Sequence, residues 1–320
     1  MPNNRERQSG QAVLIFLLFM AVVLTVALSF ISRSTTDVNI SSRGEQSLRA
    51  FSAAEAGVEN ALITGVSETG TQISSSDPST TYTTTASAIA DKDFNSPNDF
   101  YSGESMTLWF VDHDSNGNYA CTGTGINCFK GAAAPSLKLC WGTPGTTLAN
   151  SSALEVSVFY ATDPTKVVKI SGGNTTYDFS SVKVARAAID PNGASRAGPT
   201  GFPLTNFSYN LDAGTCKVKG TAYQFQKTFN IGTDLGIPSA VHTQDYGLLF
   251  ARVRFLYNTT TKQPLGGHVE PVNLPKQGLD ITAVGNSGES TRKLHVFQSL
   301  GEPPGIFDST LFSPGGLVHQ

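Results

Sequence analysis

Charged residues are scarce in this sequence. Asp, Glu, Lys and Arg make up 15% of the 320 residues, whereas soluble domains usually contain about 25%. The net charge is −3, and Lys and Arg form no dense cluster anywhere along the chain. Binding to nucleic acid or to anionic lipid headgroups through charge requires concentrated positive charge. We therefore expect no nucleic acid partner.

The motifs of common enzyme classes are also missing. The sequence contains no H-E-x-x-H zinc motif, no G-x-S-x-G elbow, no Walker loop and no dinucleotide fingerprint. Each of these motifs would supply a defined catalytic or phosphate-binding geometry. Five histidines are scattered without metal-ligand pairing, and the acidic residues form no evident acid–base pair. We therefore expect a non-catalytic protein that needs no cofactor, apart from a calcium candidate described below.

Neither charge nor proline interrupts residues 12–31, which read AVLIFLLFMAVVLTVALSFI. Fourteen of these twenty residues are Leu, Ile, Val or Phe, a composition that favours membrane insertion by about 4 to 8 kcal/mol. Twenty helical residues span about 30 Å, the thickness of a bilayer's hydrocarbon core. A soluble core helix is apolar on one stripe only, whereas this segment is apolar all round. We predict a transmembrane helix, with Arg5 and Arg7 on the cytoplasmic side.

The helical pattern continues beyond the apolar segment. No proline follows Pro2 until Pro78, so nothing forces a break. A cleaved secretory signal would have a shorter apolar stretch and a small-x-small cleavage site, and neither is present. The predicted helix covers residues 11–63 and is about 75–80 Å long. Its second half is predicted to pack on a folded domain through apolar residues at spacings of three, seven and four: Leu48, Phe51, Val58 and Leu62.

The residues around this helix resemble a known family. A polar leader, MPNNRERQSG, ends at Gly10, and SLRAFSAAEAGVENAL follows at residues 47–62. Together they resemble the class III signal and N-terminal helix of type IV pilins and type II secretion pseudopilins, and the F-x-A-A-E-A-G stretch is similar to that of PilX-like minor pilins. The resemblance implies removal of the leader, residues 1–10, by a prepilin peptidase that cuts between Gly10 and Gln11. It implies membrane lipid, other pilins or pseudopilins, and an inner-membrane assembly platform as partners. It also implies filament packing through Ile15, Phe16, Leu18, Phe19, Val22 and Val26.

Ile15 departs from the pattern of the main filament subunits. Those subunits usually carry a glutamate here, the fifth residue after the cut, which pairs with the free N-terminal amine of a neighbouring subunit. Leaving that ammonium unpaired in an apolar filament core is costly. Gln11 also differs from the commoner Phe or Met. Both departures favour a minor pilin, which acts in assembly, initiation or surface display such as adhesion or aggregation.

Three other interpretations remain open. The first is a minor pseudopilin of type II secretion, since the absence of the glutamate at Ile15 resembles the tip subunit of that machine. The second is a membrane-tethered surface adhesin that does not polymerise. The third is a sugar-binding β-sandwich module with a helical anchor. Trp109 and Trp141 are the first candidate contact residues for it, although a place in the buried core is the favoured role for both.

The rest of the chain is predicted to be rich in β-strands. Residues 64–87 contain fourteen Ser or Thr and are predicted to form a solvated linker or loop. We divide the remainder into a β-rich domain over 88–235 and a C-terminal β meander and tail over 236–320. The predicted fold class is therefore α+β, with a long N-terminal transmembrane and amphipathic helix followed by an antiparallel β-rich extracytoplasmic domain. Strands are predicted at Met106–Val111, Ser136–Trp141, Leu154–Ala161, Lys166–Ile170, Val182–Ala187, Ala222–Ile231, Leu248–Tyr257, Leu279–Val284 and Lys293–Gln298.

Four cysteines are present, Cys121, Cys128, Cys140 and Cys216. An even number in an exported chain favours two disulfides. The short spacing between the first two, across a glycine-containing segment, predicts one small clip and leaves the other two as a pair. Buried free thiols and a metal site remain alternatives, although the spacings contain no C-x₂-C pair.

One loop has the spacing with which a calcium site begins. Residues 112–118 read DHDSNGN, which matches the start of the D-x-D-x-[DN]-G pattern. Its first ligands would be Asp112, Asp114 and Asn116. The twelfth position is Gly123, where a calcium loop of this type needs a bidentate glutamate. The alternative is a polar β-turn, which favours the same residue types.

Overall fold

The computed structural model describes residues 9–74, 77–114, 116–121, 128–131, 135–171, 174–193, 207–208 and 210–302. The helices in chain order are α1 (Ser9–Thr64), α2 (Pro164–Val167) and α3 (Ser239–His242), with a short 3₁₀ helix at Leu148–Asn150. The first ten strands are β1 (Glu68–Ser74), β2 (Asp77–Ala88), β3 (Asp93–Asn95), β4 (Ser105–Trp109), β5 (Asp112–His113), β6 (Tyr119–Ala120), β7 (Ser136–Trp141), β8 (Ala153–Ala161), β9 (Val168–Ser171) and β10 (Asn174–Tyr177). They are followed by β11 (Val182–Ile189), β12 (Phe207–Ser208), β13 (Cys216–Val218), β14 (Thr221–Tyr223), β15 (Phe225–Asn230), β16 (Leu248–Leu256), β17 (Leu265–Glu270), β18 (Gly278–Ser287) and β19 (Ser290–Ser299).

The chain has one continuous N-terminal helix. At 56 residues and 1.5 Å per residue, α1 is about 84 Å long, and it includes the predicted helix over 11–63. Its N-terminal half is long and apolar enough to cross a membrane. Of the predicted leader, residues 1–8 lie outside the described residues.

The described residues divide into two compact units. The helix unit comprises the chain up to Ser87 together with Asp280–Val296, and the β unit comprises Ala88–Leu279 together with the chain from Phe297 onward. In sequence, the β unit is therefore inserted between β2 and β18. The predicted boundary between residues 235 and 236 is wrong, because strands from either side of it belong to the same sheets.

The helix unit consists of α1 and a sheet with the strand order β1-β2-β18-β19. The prediction of a solvated linker over 64–87 is wrong, since most of that stretch forms β1 and β2, which pair in antiparallel orientation. Along β2, Thr80, Tyr82 and Thr84 are buried at alternate positions. Threonine is β-branched and suits a half-buried strand. The helix supplies the apolar surface that orders this polar tract.

Small residues of α1 make the contact with the sheet. Ala50, Ala53, Ala54 and Ala61 are fully buried. The helix lies so close to the sheet that only small residues fit between them. At Gly57, for example, even a Cβ would lie 2.8 Å from side-chain carbons of both Thr84 and Tyr82. Of the four predicted packing residues, Val58 is buried, Leu62 is half-buried, and Leu48 and Phe51 are exposed. The prediction for Leu48 and Phe51 is wrong, because these large side chains would hold the helix too far from the sheet.

The β unit contains two larger sheets. One has the order β12-β11-β8-β16-β4 and the other β15-β7-β17-β3. All these pairs are antiparallel except β11 with β12, which is parallel. Buried residues of both sheets, such as Leu108, Trp141 and Val156, belong to one apolar core. The predicted strand at Lys166–Ile170 begins instead at Val168, after α2, and the one at Ala222–Ile231 is divided into β14 and β15.

Candidate functional site

The N-terminal half of α1 presents an exposed apolar surface on all its sides. The large apolar side chains between Val13 and Ile31 are 48–70% exposed. They include all six residues that the resemblance assigns to filament packing: Ile15, Phe16, Leu18, Phe19, Val22 and Val26. A contiguous apolar surface of this size is not stable in water and requires lipid or another protein to cover it.

A polar stretch of helix separates this apolar surface from the sheet contact. Side chains from Ser32 to Glu45 are exposed. The hydroxyls of Thr35 and Thr36 donate to the carbonyl oxygen of Ser32, at 2.9 and 2.8 Å, so that they remain satisfied within the helix. The stretch is mostly polar, with Val38 and Ile40 as its exposed large apolar residues, and such a composition is typical of a helix segment that crosses solvent between two environments.

Polar contacts fix the helix on its sheet. Arg292 donates from Nε and Nη2 to the hydroxyl of Ser47, at 2.9 and 2.5 Å, and the backbone N–H of Glu289 donates to Gln46 Oε1 at 3.3 Å. These contacts connect β19 and the β18–β19 turn with the middle of α1. They orient the helix on the sheet.

A second polar cluster lies near the C-terminal end of α1. The Tyr82 hydroxyl donates to Glu68 Oε2 at 2.8 Å and accepts from Asn60 Nδ2 at 3.2 Å. Burial, followed by its bond to Glu68, raises the pKa of Tyr82. The bonds from Tyr82 and Thr71 lower the pKa of the Glu68 carboxyl. The cluster connects α1, β1 and β2, which is a structural role.

No protein-family model, curated protein or solved structure matches this chain. Its function is therefore inferred from the geometry of the described residues.

The four cysteines form two disulfides in the β unit. Cys121 pairs with Cys128, and Cys140 pairs with Cys216, which is the pairing expected from the spacing. The second bond joins β7 to β13. All four cysteines are therefore engaged as structural cross-links rather than as metal ligands or nucleophiles.

The calcium candidate loop forms a hydrogen-bonded turn between β5 and β6. Asp114 Oδ1 accepts the backbone N–H groups of Asn116 and Asn118, both at 2.8 Å, and Asp114 Oδ2 accepts Asn118 Nδ2 at 3.1 Å. These bonds, with those from Asn118 the largest, lower the pKa of Asp114. Asp112 is buried and accepts the N–H of His113. Within the described ranges, which omit Ser115 and Gly123, no cluster of three or more His, Cys, Asp or Glu side chains could hold a metal ion. The geometry favours the polar-turn interpretation.

We expect calcium to leave the stability of the β unit unchanged, because N–H donors already occupy the Asp114 carboxylate. The measurement is the urea midpoint, followed by tryptophan fluorescence, in millimolar calcium and in excess chelator. A higher midpoint in calcium that disappears in Asp114→Asn would show that the loop binds the ion.

The two tryptophans do not form a sugar-binding surface. Trp109 is 3% exposed and Trp141 is fully buried, with its indole N–H donating to the carbonyl oxygen of Ser152 at 3.0 Å. Trp109 packs against His113 and Tyr119, with ring centroids 4.7 and 5.9 Å apart. Burial lowers the pKa of His113 and raises that of Tyr119. Both tryptophans are core residues, the role that the sequence analysis favours for them, and neither can contact a ligand from the surface.

The β unit also has a surface cleft that the sequence did not reveal. Its volume is about 400 Å³, within the range of small-molecule sites. Three separate chain segments line it, so that no local motif exists. One described lining residue, Tyr246, has an unusual backbone, because it is a non-glycine residue with φ of 60°. The polar and aromatic lining residues are Lys130, Thr165, Thr243, Gln244, Asp245 and Tyr246.

Proposed function

We propose that this chain is a minor pilin-like subunit of a type IV pilus or a related filament. The observation that carries the proposal is the division of α1 into an apolar half exposed on all sides and a second half packed on a sheet through small residues. A soluble protein has no use for the first half, and a simple membrane anchor does not require that the same helix continue into a folded unit. The polar leader that ends at Gly10 also supports the proposal, because a prepilin peptidase would cut directly after it.

In this function α1 moves between two apolar environments. Before assembly, residues 12–31 cross the inner membrane with the N-terminus in the cytoplasm. During assembly they leave the lipid and pack among the helices of other pilins or pseudopilins on the assembly platform. The apolar surface is covered in both states, so the transfer requires no large gain in hydrophobic free energy. The chain itself carries out no bond chemistry.

The β unit would be displayed outside the membrane, on the filament. Two disulfides suit an oxidising compartment. Ile15 supports a subunit present in few copies, because it offers no carboxylate to a neighbouring N-terminal amine. We therefore assign a role in initiation or in surface display rather than in bulk polymerisation.

The proposal predicts that a prepilin peptidase removes the first ten residues. The full-length chain in detergent is incubated with the enzyme, and the new N-terminus is determined by mass spectrometry. We expect Gln11 to become the first residue, and Gly10→Lys to block the cut by placing a long charged side chain beside the scissile bond.

Gly44→Lys is the matched control. Gly44 lies in the exposed part of α1, and a Cβ there meets nothing within 4 Å. This variant should be cut like the unmodified chain. An intact N-terminus in the unmodified chain would instead support a membrane-tethered surface protein.

A further inference from the structure

We propose that the cleft of the β unit binds a neutral saccharide. This proposal does not depend on membership of a filament, because every residue that carries it lies in the β unit. Hydroxyls of Thr165 and Thr243, the amide of Gln244 and an ion pair line the cleft. Each of these hydroxyl and amide groups already donates one hydrogen bond within the chain, to the Asp163 carboxylate or to a carbonyl oxygen of α3. Their oxygens can still accept hydrogen bonds, which the hydroxyls of a sugar can donate.

The charges in the cleft favour a neutral ligand. Lys130 Nζ lies 2.7 Å from Asp245 Oδ1, with both side chains partly exposed. The ammonium is therefore neutralised within the cleft, and the two charged lining groups sum to zero. A phosphate or carboxylate ligand would have to compete with Asp245 for this ammonium, or else lie beside the Asp245 carboxylate, which would repel it.

Tyr246 supplies a rigid aromatic wall. Its backbone is left-handed, with φ of 60°, a conformation that is rare for a bulky residue and usually reserved for glycine. The side chain is fixed because its hydroxyl accepts the N–H of Cys121 at 2.9 Å and its ring packs in the cluster that contains Tyr119 and Val168. An aromatic ring held next to polar groups can cover the apolar face of a sugar ring while those groups bind its hydroxyls.

Two exposed rings extend this surface beyond the cleft. Val168 lines the cleft, and Tyr177 lies directly opposite it in the β9–β10 hairpin, so that both side chains project from the same face. Tyr177 and Phe179 are 37% and 49% exposed, their rings are nearly parallel, and their centroids are 5.8 Å apart. The hydroxyl of Tyr177 accepts the N–H of Tyr119 at 3.1 Å, which fixes its position. These rings can contact further units of an oligosaccharide.

The test is a binding titration of the full-length chain in a zwitterionic detergent that contains no sugar. The probes are galactose, mannose, glucose, N-acetylglucosamine and N-acetylgalactosamine, their linear trisaccharides, and inorganic phosphate. We expect at least one neutral sugar to bind and phosphate not to compete with it. We expect Tyr246→Gly to weaken binding about tenfold, since one aromatic contact is lost. The glycine suits the left-handed backbone, so that this variant introduces no backbone strain.

Two further variants keep the result interpretable. Gln244 is exposed, so Gln244→Ala changes the polar wall without disturbing the core and should also weaken binding. Tyr257→Gly is the matched control, because Tyr257 is another exposed tyrosine with a left-handed backbone, φ of 72°, and does not line the cleft. The affinity of the Tyr257→Gly variant for the sugar should equal that of the unmodified chain. Phe179→Ala should weaken binding of the trisaccharide alone.

Other outcomes overturn the proposal. If no neutral sugar binds at tens of millimolar, or if Tyr246→Gly and Gln244→Ala bind as tightly as Tyr257→Gly, the cleft is not a saccharide site. Phosphate that binds and is lost in Lys130→Gln would identify an anion site instead. Cleavage at Gly10 would be unaffected by any of these results, which separates this test from that of the filament function.

Discussion

Gly285→Ala is expected to open the contact between α1 and its sheet, with a loss of about 3 kcal/mol in the local stability of the helix unit. A Cβ at this position of β18 would overlap the carbonyl oxygen of Ala50, and it would lie 2.5 Å from the backbone N of Ala54. Both are backbone atoms of a continuous helix, so they cannot move aside as the end of a side chain can. The helix or the strand must shift as a whole.

Hydrogen exchange measured by mass spectrometry reports this effect. Amides of the C-terminal part of α1 and of β18 should exchange much faster in Gly285→Ala, while amides of the β unit keep their rates. Gly57→Ala should have a smaller effect, because its Cβ would meet the side chains of Thr84 and Tyr82. A Cβ at Gly44 would meet no atom within 4 Å. Gly44→Ala should therefore stabilise the helix by about 1 kcal/mol, because alanine favours the helical backbone more than glycine does. Equal exchange in Gly285→Ala and the unmodified chain would contradict the close packing described here.

The sequence predicted α1 well because its signal is local. A predominantly apolar segment of twenty residues without charge, and the absence of proline, can be recognised from the local sequence alone. The prediction of the packing face fails at Leu48 and Phe51, which are exposed, because a search for apolar spacing gives large residues more weight than small ones. The alanines at 50, 53, 54 and 61 make the contact. Close helix–sheet packing selects for small size, which a search for large hydrophobic residues overlooks.

The polar tract at 64–87 was mispredicted for a different reason. Judged alone, it cannot bury enough apolar surface to fold. Its partners lie far away in the sequence, on α1 and on β18, as in the bond between Thr80 Oγ1 and Ser287 Oγ at 3.0 Å. The sequence does not predict the cleft for the same reason, because Lys130, Thr165 and Tyr246 come together only in the folded β unit. Neither a composition nor a motif indicates such long-range pairing.

Removing the Cys140–Cys216 disulfide is expected to cost the β unit about 4.5 kcal/mol, whereas removing Cys121–Cys128 should cost about 2.4 kcal/mol. The difference follows from the chain segments that the bonds close, 76 and 7 residues in sequence separation. A longer closed loop restricts the unfolded chain more. Alanine is the suitable replacement at Cys140 and Cys216, which are 0% and 3% exposed, because serine would bury hydroxyl groups that need partners.

Urea unfolding followed by tryptophan fluorescence measures both effects, because Trp109 and Trp141 are buried in the β unit. The double variant Cys140→Ala/Cys216→Ala should unfold at a much lower urea concentration than Cys121→Ala/Cys128→Ala, and adding reductant to the unmodified chain should reproduce the sum of both losses. Loop closure in the unfolded chain requires that the variant without the Cys140–Cys216 bond be the less stable of the two. Equal midpoints for the two double variants would show that loop closure in the unfolded chain does not determine the stability of the β unit. In that case native packing around Cys140 and Cys216 would account for the loss.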